Sequence, residues 1–225
     1  MIQCIKDSIQ NVNLVIGCTY GCSYCYARMN VRRFHTIDDF EKPEFFENKL
    51  RILDRKRPRN LFLTGMSDIA DWKPEWQEAI FDKMAENSQH QYVFLTKRPE
   101  DLSIETEMEN AWFGVTVTCA KEKTRIQELR KQVKAKHYHV TFEPMFDDIG
   151  EVDLTGIDWI VIGTETGRRK GKSVSKVVWV EQLAEQAAKQ GIPVFMKEDL
   201  LEIMGEERMI QQFPVEFEQV LKNVI

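Results

Sequence analysis

Three cysteines within eight residues, close to the start of the chain, carry its most specific chemical signal. Cys18, Cys22 and Cys25 have the spacing C-x3-C-x2-C in the stretch GCTYGCSYCY, which begins at Gly17. Thiolates at this spacing on a tight loop can bind three irons of a four-iron cluster and leave the fourth iron free for another ligand. Gly17 and Gly21 allow the backbone angles that close such a turn.

Three other interpretations of these cysteines stay open from the residues alone. They are free buried thiols, or they are ligands of a zinc site completed by His35, since zinc favours Cys3His. They could also belong to a conventional cluster in which Cys119 or Cys4 is the fourth ligand. The odd count of five cysteines and the lack of a recognisable signal peptide argue against a disulfide framework.

The elements that must position these cysteines follow from the hydrophobic pattern. Continuous apolar runs predict strands buried on both faces, over Asn13–Gly17, Asn60–Gly65, Gln91–Lys97, Ala111–Val117, His137–Glu143, Asp158–Thr164 and Ile192–Lys197. Helical periodicity and end signals predict helices over Ser23–Phe34, Glu44–Asp54, Pro74–Asn87, Ala120–Lys136 and Val177–Gln190.

Alternation of strands and helices predicts an α/β fold with right-handed parallel crossovers. We expect a single-domain parallel (βα) barrel, partial, with six to seven strands, and an open doubly wound sheet is the alternative. Residues 1–198 form the predicted core, and residues 199–225 form an acidic helical appendage.

Composition limits the function classes. The formal net charge is −5, from 31 basic and 36 acidic residues, which argues against wholesale coating of nucleic acid. No apolar run approaches the roughly 20 residues that span a bilayer. We therefore expect a cytoplasmic protein that does not enter a membrane.

Polar residues end most of the predicted strands, and active sites of parallel barrels lie at the carboxyl ends of the strands. The candidates for cofactor binding at these ends are Thr64, Gly65, Asp68, Lys97, Thr116, Glu143, Gly163 and Glu165. A structural interpretation competes with this one: Asp68 could cap the following turn. The charged ends Lys97, Glu143, Glu165 and Lys197 could likewise form an internal ion-pair ring.

Two further groups of residues, a pair of histidines and a basic run, also lead to expectations. His137 and His139 begin the fifth predicted strand, so we expect them at the opposite end from the site and assign them no role. The run from Arg168 to Lys176 has five basic residues and no acid. It follows the sixth strand, and it predicts an anionic substrate, phosphate-bearing or nucleic acid, that enters past these cations. Those proposed to contact it are Arg168, Arg169, Lys170 and Lys172.

The cysteine motif after a first strand, with the aromatic Tyr24 before its last cysteine, resembles that of the radical S-adenosylmethionine superfamily. The stretches GCTYGCSYCYA, LTKRP, FEP, IDWIVIGTETG and PVFMK resemble a small branch associated with phages and mobile elements. These motifs do not identify the substrate of that branch. Relatives in the superfamily include nucleic-acid repair lyases with a very similar cysteine loop.

The resemblance implies a specific chemistry. Cys18, Cys22 and Cys25 would bind a [4Fe-4S] cluster, and S-adenosyl-L-methionine would chelate its free iron, with Tyr24 near the adenine. An external electron donor would reduce the cluster, and cleavage of the cofactor would yield a 5′-deoxyadenosyl radical that abstracts hydrogen from the substrate. The superfamily often has Gly-Gly-Glu after the second strand, where this chain has the stretch TGMSD ending at Asp68.

A binding protein is the alternative from a different functional class. In that interpretation a zinc ion orders the cysteine loop, no reaction is catalysed, and the basic runs bind nucleic acid.

Overall fold

The structure is a computed structural model that describes residues 2–167 and 169–222. A parallel sheet of seven strands forms its centre. The strands are β1 (Gln10–Asn11), β2 (Asn60–Phe62), β3 (Gln91–Thr96), β4 (Ala111–Thr116), β5 (His137–Phe142), β6 (Trp159–Ile162) and β7 (Val194–Met196). Their order in the sheet follows the chain, and β1 and β7 form its two edges. The predicted partial (βα) barrel is confirmed, and the sequential order rules out a doubly wound sheet.

Within the described ranges, five helices of eight or more residues accompany the sheet. They are α1 (Tyr26–Phe34), α2 (Pro74–Glu86), α3 (Thr124–Gln132), α4 (Val177–Lys189) and α5 (Val215–Lys222). Single helical turns occur at Ile5–Ser8 and Leu201–Met204, and 3-10 turns at Glu47–Ile52, Ile69–Asp71, Pro99–Asp101, Ala120–Glu122, Glu198–Leu200 and Glu206–Arg208. Two short ladders complete the fold, one antiparallel between Val15–Ile16 and Glu44–Phe45, the other parallel between Ile104–Glu105 and Val133–Lys134.

The sheet is covered on its outer face by helices and is curled around its inner face. Alternate strand residues such as Leu61, Phe113 and Ile160 belong to the main core, together with Ile80 of α2 and Leu183 of α4. Residues between them, such as Val93, Trp112 and Val161, face the other way and belong to a second, smaller apolar cluster. Burial on both faces explains why the strands have continuous apolar runs.

Helix α5 closes the amino-terminal end of the inner face. Phe217 is fully buried, and its ring centroid lies 4.7 Å from that of Trp112 and 5.3 Å from that of Trp159. Both tryptophans stand at the start of their strands, so the segment after residue 198 fills this end of the half-barrel. The carboxyl-terminal end of the inner face stays open.

Two predicted elements were wrong. The run Asn13–Gly17 is not the first strand of the sheet, because β1 precedes it and Val15–Ile16 pairs with Glu44–Phe45 instead. That pairing also removes the start of the helix expected over Glu44–Asp54, where only a 3-10 turn forms. Leu14, Val15 and Ile16 are all buried, so their apolar pattern does not reveal which strand they pair with.

The remaining helices agree with expectation in place and differ in length. The helix expected over Ala120–Lys136 is confined to α3, with a 3-10 turn before it and the strand Val133–Lys134 after it.

Candidate functional site

The cysteine loop, residues 17–25, lies at the carboxyl-terminal end of the half-barrel, between the short strand Val15–Ile16 and α1. The Gly17 amide donates to the Met66 carbonyl, and the Cys18 amide donates to the Phe40 carbonyl. Gly17 has φ +118°, and a Cβ there would lie 2.6 Å from the Cα of Pro43. Only glycine fits this position, because the φ angle and the close backbone contact each exclude a side chain.

The three thiols of the loop line the same cavity. The Tyr20 amide donates to Cys18 Sγ at 3.5 Å, and the Arg28 amide donates to Cys25 Sγ at 3.4 Å. Burial raises the pKa of Cys18 to about 12 and also raises that of Cys22, which Lys97 partly offsets. Across residues 2–167 and 169–222, no three His, Cys, Asp or Glu side chains lie close enough together to hold a metal ion.

The donor set nevertheless fits an iron–sulfur cluster in its chemistry. All three sulfurs border one cavity, and backbone amides already donate to two of them, an interaction that also tunes cluster potentials. A bound metal would have to draw the three thiols together. It would also deprotonate them, because a metal ion ionises a thiol that coordinates it.

The cavity has a volume of about 510 Å³ and extends from the cysteine loop down to the inner face of the sheet. Most of the predicted cofactor-binding residues line it: Tyr24, Thr64, Gly65, Asp68, Lys97, Thr116, Glu143 and Glu165. Gly163 is not among the lining residues. The volume of the cavity is typical of pockets that bind cofactors and other small molecules.

Asp68 connects the ends of β2 and β3. Its carboxylate accepts hydrogen bonds from the Thr96 hydroxyl at 2.6 Å, the Lys97 amide at 2.9 Å and the Ala70 amide at 3.1 Å. The side chain therefore caps the 3-10 turn that follows it, as the structural interpretation expected. Thr64 has a similar role, because its hydroxyl accepts a bond from the Leu95 amide.

Tyr24 and Lys97 lie together at one side of the cavity. The Lys97 ammonium is 5.9 Å from the centroid of the Tyr24 ring, and Phe146 packs edge-on against that ring at 5.3 Å. The ion pairs found between described residues do not include Lys97. This cation is therefore available to an anionic group in the cavity.

Glu143 and Lys197 form an ion pair at the ends of β5 and β7. Lys197 Nζ also lies 3.6 Å from an oxygen of Asp199, whose pKa burial raises to about 6. A Cβ on Gly163 would lie 2.9 Å from Cδ of Glu143 and 3.0 Å from Cδ of Lys197. Gly163 therefore leaves room for the pair and does not itself border the cavity.

The four charged strand ends do not form a ring. Glu165 pairs with Arg169 instead, through contacts of 2.5 and 2.7 Å, and also accepts the Ser173 amide. These bonds fold the basic segment onto the carboxyl-terminal end of the sheet, where Thr166 and Gly167 line the cavity. Lys170 and Lys172 are exposed. Arg168, also predicted to meet the substrate, lies outside the described residues.

His139 was placed wrongly by the sequence. His137 does lie at the closed end, where its ring stacks on Trp112 at 4.1 Å between centroids. His139 is two residues farther along β5, and it lines the cavity together with Thr141 and Trp159. The signal that could have found it is alternation: His139, Thr141 and Glu143 are the polar members of one face of the strand.

The two other cysteines, Cys4 and Cys119, are not among the residues that line the cavity. The Cys4 thiol donates to a carboxylate oxygen of Glu198 at 2.8 Å.

Comparison with known proteins places the chain in a family. The model of the family described as "Protein of unknown function (DUF5131)" matches residues 4–208. The chain belongs to this family. No curated protein matches the chain, and no solved structure matches it.

The family match spans the cysteine loop, all seven strands of the sheet and every residue that lines the cavity. It ends before α5, which closes the opposite end of the half-barrel. Among the described residues, no helix combines the length and the apolar character that crossing a bilayer requires.

Proposed function

We propose that this protein is a radical S-adenosylmethionine enzyme. Cys18, Cys22 and Cys25 would hold a [4Fe-4S] cluster, and the cavity beneath them would bind S-adenosyl-L-methionine. One observation carries the proposal: the thiols of a C-x3-C-x2-C motif all border a cavity of about 510 Å³ at the carboxyl-terminal end of a parallel half-barrel. Barrel enzymes keep their active sites at this end.

The chain's own residues would bind and orient the cofactor. Lys97 is a cation near the cysteine loop that has no ion-pair partner among the described residues, so it would bind the cofactor carboxylate. The Tyr24 ring beside it would pack against an aromatic or apolar part of the cofactor. Asp68 would position Lys97 without contacting the cofactor, because its carboxylate accepts a hydrogen bond from the Lys97 amide and fixes the end of β3.

When bound in this site, the reduced cluster would supply one electron for the cleavage of S-adenosylmethionine, which would yield a 5′-deoxyadenosyl radical for hydrogen abstraction. An external protein or reductant would deliver that electron. The chain would contribute a chamber whose lower walls are apolar, including Val93, Trp159 and Val161, and which keeps water from the radical.

The substrate in this proposal carries negative charge, as phosphate or nucleic acid does. Lys170 and Lys172 are exposed on the segment that Glu165 and Arg169 fold against the open end of the half-barrel. Cations at this place would draw an anion toward the cavity, with an effect that weakens as salt rises.

Anaerobic reconstitution tests the proposal. The protein is incubated with iron and sulfide, then with dithionite and S-adenosylmethionine, and 5′-deoxyadenosine is measured together with absorbance near 400 nm. Both signals are expected in the wild type and in the controls Cys4→Ala and Cys119→Ala. Alanine at position 18, 22 or 25 should abolish both.

Two results would contradict the proposal. One is a normal cluster in Cys22→Ala. The other is a colourless protein with stoichiometric zinc, which would favour the non-catalytic nucleic-acid-binding module.

A further inference from the structure

The floor of the cavity is built from one row of inward-facing residues across four strands. The register pairs Leu95 with Gly114, Gly114 with His139, and His139 with Trp159. A Cβ on Gly114 would lie 2.3 Å from the imidazole of His139. Glycine in the middle of β4 therefore provides the space in which this ring lies across the sheet.

The hydrogen bonding of His139 fixes its tautomer. Ring atom Nε2 lies 2.8 Å from the Phe94 carbonyl oxygen, which can only accept a hydrogen bond. Nε2 therefore carries the proton, and Nδ1 of the neutral ring is an acceptor. Burial lowers the pKa of His139 to about 4, so the ring is neutral at pH 7.

Nδ1 of His139 has no hydrogen-bond partner within residues 2–167 and 169–222, and the residue is only 2% exposed. The same holds for the hydroxyl of Thr116, which is 1% exposed. Thr116 follows Gly114 on the same face of β4, so it stands one row above the imidazole. Buried polar atoms without partners are rare and costly, and two in adjacent rows of one cavity indicate a ligand that satisfies them.

Most of the charged residues that line the cavity lie in its upper part. Lys97, Glu143, Glu165 and Lys197 stand at the ends of strands, above the row of Thr116 and Thr141, and Asp68 follows β2 at the same end. Lys6 also lines the cavity, as an exposed residue of the turn before β1. Around His139 the lining is apolar or neutral, with Val93, Leu95 and Trp159. A charged group would lose its hydration at this depth without gaining an opposite charge, so the floor favours an uncharged ligand.

We infer that the floor is a binding subsite for an uncharged amide-like group, whose N–H donates to His139 Nδ1 and whose carbonyl accepts from the Thr116 hydroxyl. The inference deepens the proposed function, because the group would belong to the substrate. It is compatible with an anionic substrate, whose charge would remain near the upper cations. A cyclic amide or a nucleobase edge has this pairing of donor and acceptor.

Uracil is a suitable probe, since it is neutral and presents N–H beside C=O. We would titrate it into the full-length ¹⁵N-labelled chain without added iron, sulfide or S-adenosylmethionine. The His139 ring nitrogens should report an Nε2–H tautomer, and the Nδ1 resonance should move on binding as an accepting nitrogen does. Because no cluster is required, a negative result here is distinct from failure of the radical chemistry.

Two analogues of uracil test the chemistry of the site. 1,3-Dimethyluracil lacks both N–H donors, and orotate adds a carboxylate to the same ring. Each should bind at least tenfold more weakly than uracil. Equal binding of either analogue, or no binding of uracil, would overturn the inference.

A matched pair of threonine variants tests the residues. Thr116→Val removes a hydroxyl that has no partner among the described residues, so the protein should remain as stable while uracil binds roughly threefold to tenfold more weakly. Thr118→Val removes a hydroxyl that donates to Glu122 at 2.8 Å and does not line the cavity. It should lose stability and keep uracil affinity. Unchanged affinity in Thr116→Val would show that the floor does not bind the probe.

Discussion

The carboxylate of Asp71 accepts two hydrogen bonds from Thr19, one from its amide at 2.9 Å and one from its hydroxyl at 2.7 Å. Thr19 directly follows the first cysteine of the loop, and Asp71 ends the 3-10 turn after β2. Arg98, after β3, pairs with the same carboxylate at 2.7 Å. The end of the sheet thereby fixes the start of the cysteine loop. Burial disfavours the charge of Asp71, yet the ion pair with Arg98 and the hydrogen bonds from Thr19 keep its pKa below the usual value.

Removal of this anchor should loosen the loop. Asp71→Ala deletes the acceptor of both Thr19 bonds, and bonds to a charged group contribute about 2 kcal/mol to stability. We expect faster hydrogen exchange at the Thr19 amide and weaker retention of iron by reconstituted protein. Asp101→Asn is the control, because Asp101 is an exposed carboxylate 3.7 Å from the same Arg98. Equal exchange rates in both variants would show that Asp71 does not hold the loop.

Gly163 should be intolerant of a methyl group for reasons of space. Gly163→Ala would press Cβ against the half-buried pair of Glu143 and Lys197, which cannot move apart without losing their contact. Overpacking of this kind costs about 1–3 kcal/mol, measured as the free energy of unfolding in urea. The Glu143→Ala background should reduce the cost, since it frees the space. If Gly163→Ala costs the same free energy of unfolding in the wild type and in the Glu143→Ala variant, the new methyl group does not clash with Glu143.

Much of the fold could be predicted because burial on both faces produces continuous apolar runs. Strands β2 to β7 all lie within predicted runs, and the bounds differ mainly at the polar carboxyl ends. The first strand could not be found this way, because Gln10–Asn11 is exposed and short while the nearby run Asn13–Gly17 is buried by another pairing. A hydrophobic run predicts that a strand is buried, but it does not predict which strand it pairs with.

The site was predictable to the extent that chain topology determines it. Parallel strands bring their carboxyl ends to one edge, which places Thr64, Lys97 and Glu143 around one cavity even though they are far apart in sequence. The partners of individual side chains were harder to predict. Glu165, for example, pairs with Arg169 and not with one of the lysines at the strand ends. The role of His139 depends on the space above Gly114, a three-dimensional fact that no spacing along the chain reveals.

Two histidines in β5 provide a test of the buried inner face through pH. Burial lowers the pKa of His139 to about 4, below the value of about 6.5 expected in the unfolded chain. Between these values the unfolded chain binds the extra proton, so stability falls as pH drops from about 6.5 toward 4. The nearby carboxylate of Asp158, 3.7 Å from Nδ1 of His137, instead raises the pKa of His137. The contribution of His137 to stability is therefore fully present below the pKa that this histidine has in the unfolded chain. It is lost as pH rises through the pKa of His137 in the folded protein.

The variants His139→Gln and His137→Gln should therefore respond to pH in opposite directions. Relative to wild type, His139→Gln should gain about 3 kcal/mol between pH 7 and pH 4, because it has no imidazole to protonate on unfolding. His137→Gln should lose stability relative to wild type over the same range. Asp199, whose pKa of about 6 opposes the His139 trend, is present in all three proteins, and its effect cancels in the differences. Urea unfolding at pH 4, 5.5 and 7 measures both differences. A pH-independent difference for His139→Gln would mean that this imidazole is hydrated and does not form the floor of the cavity.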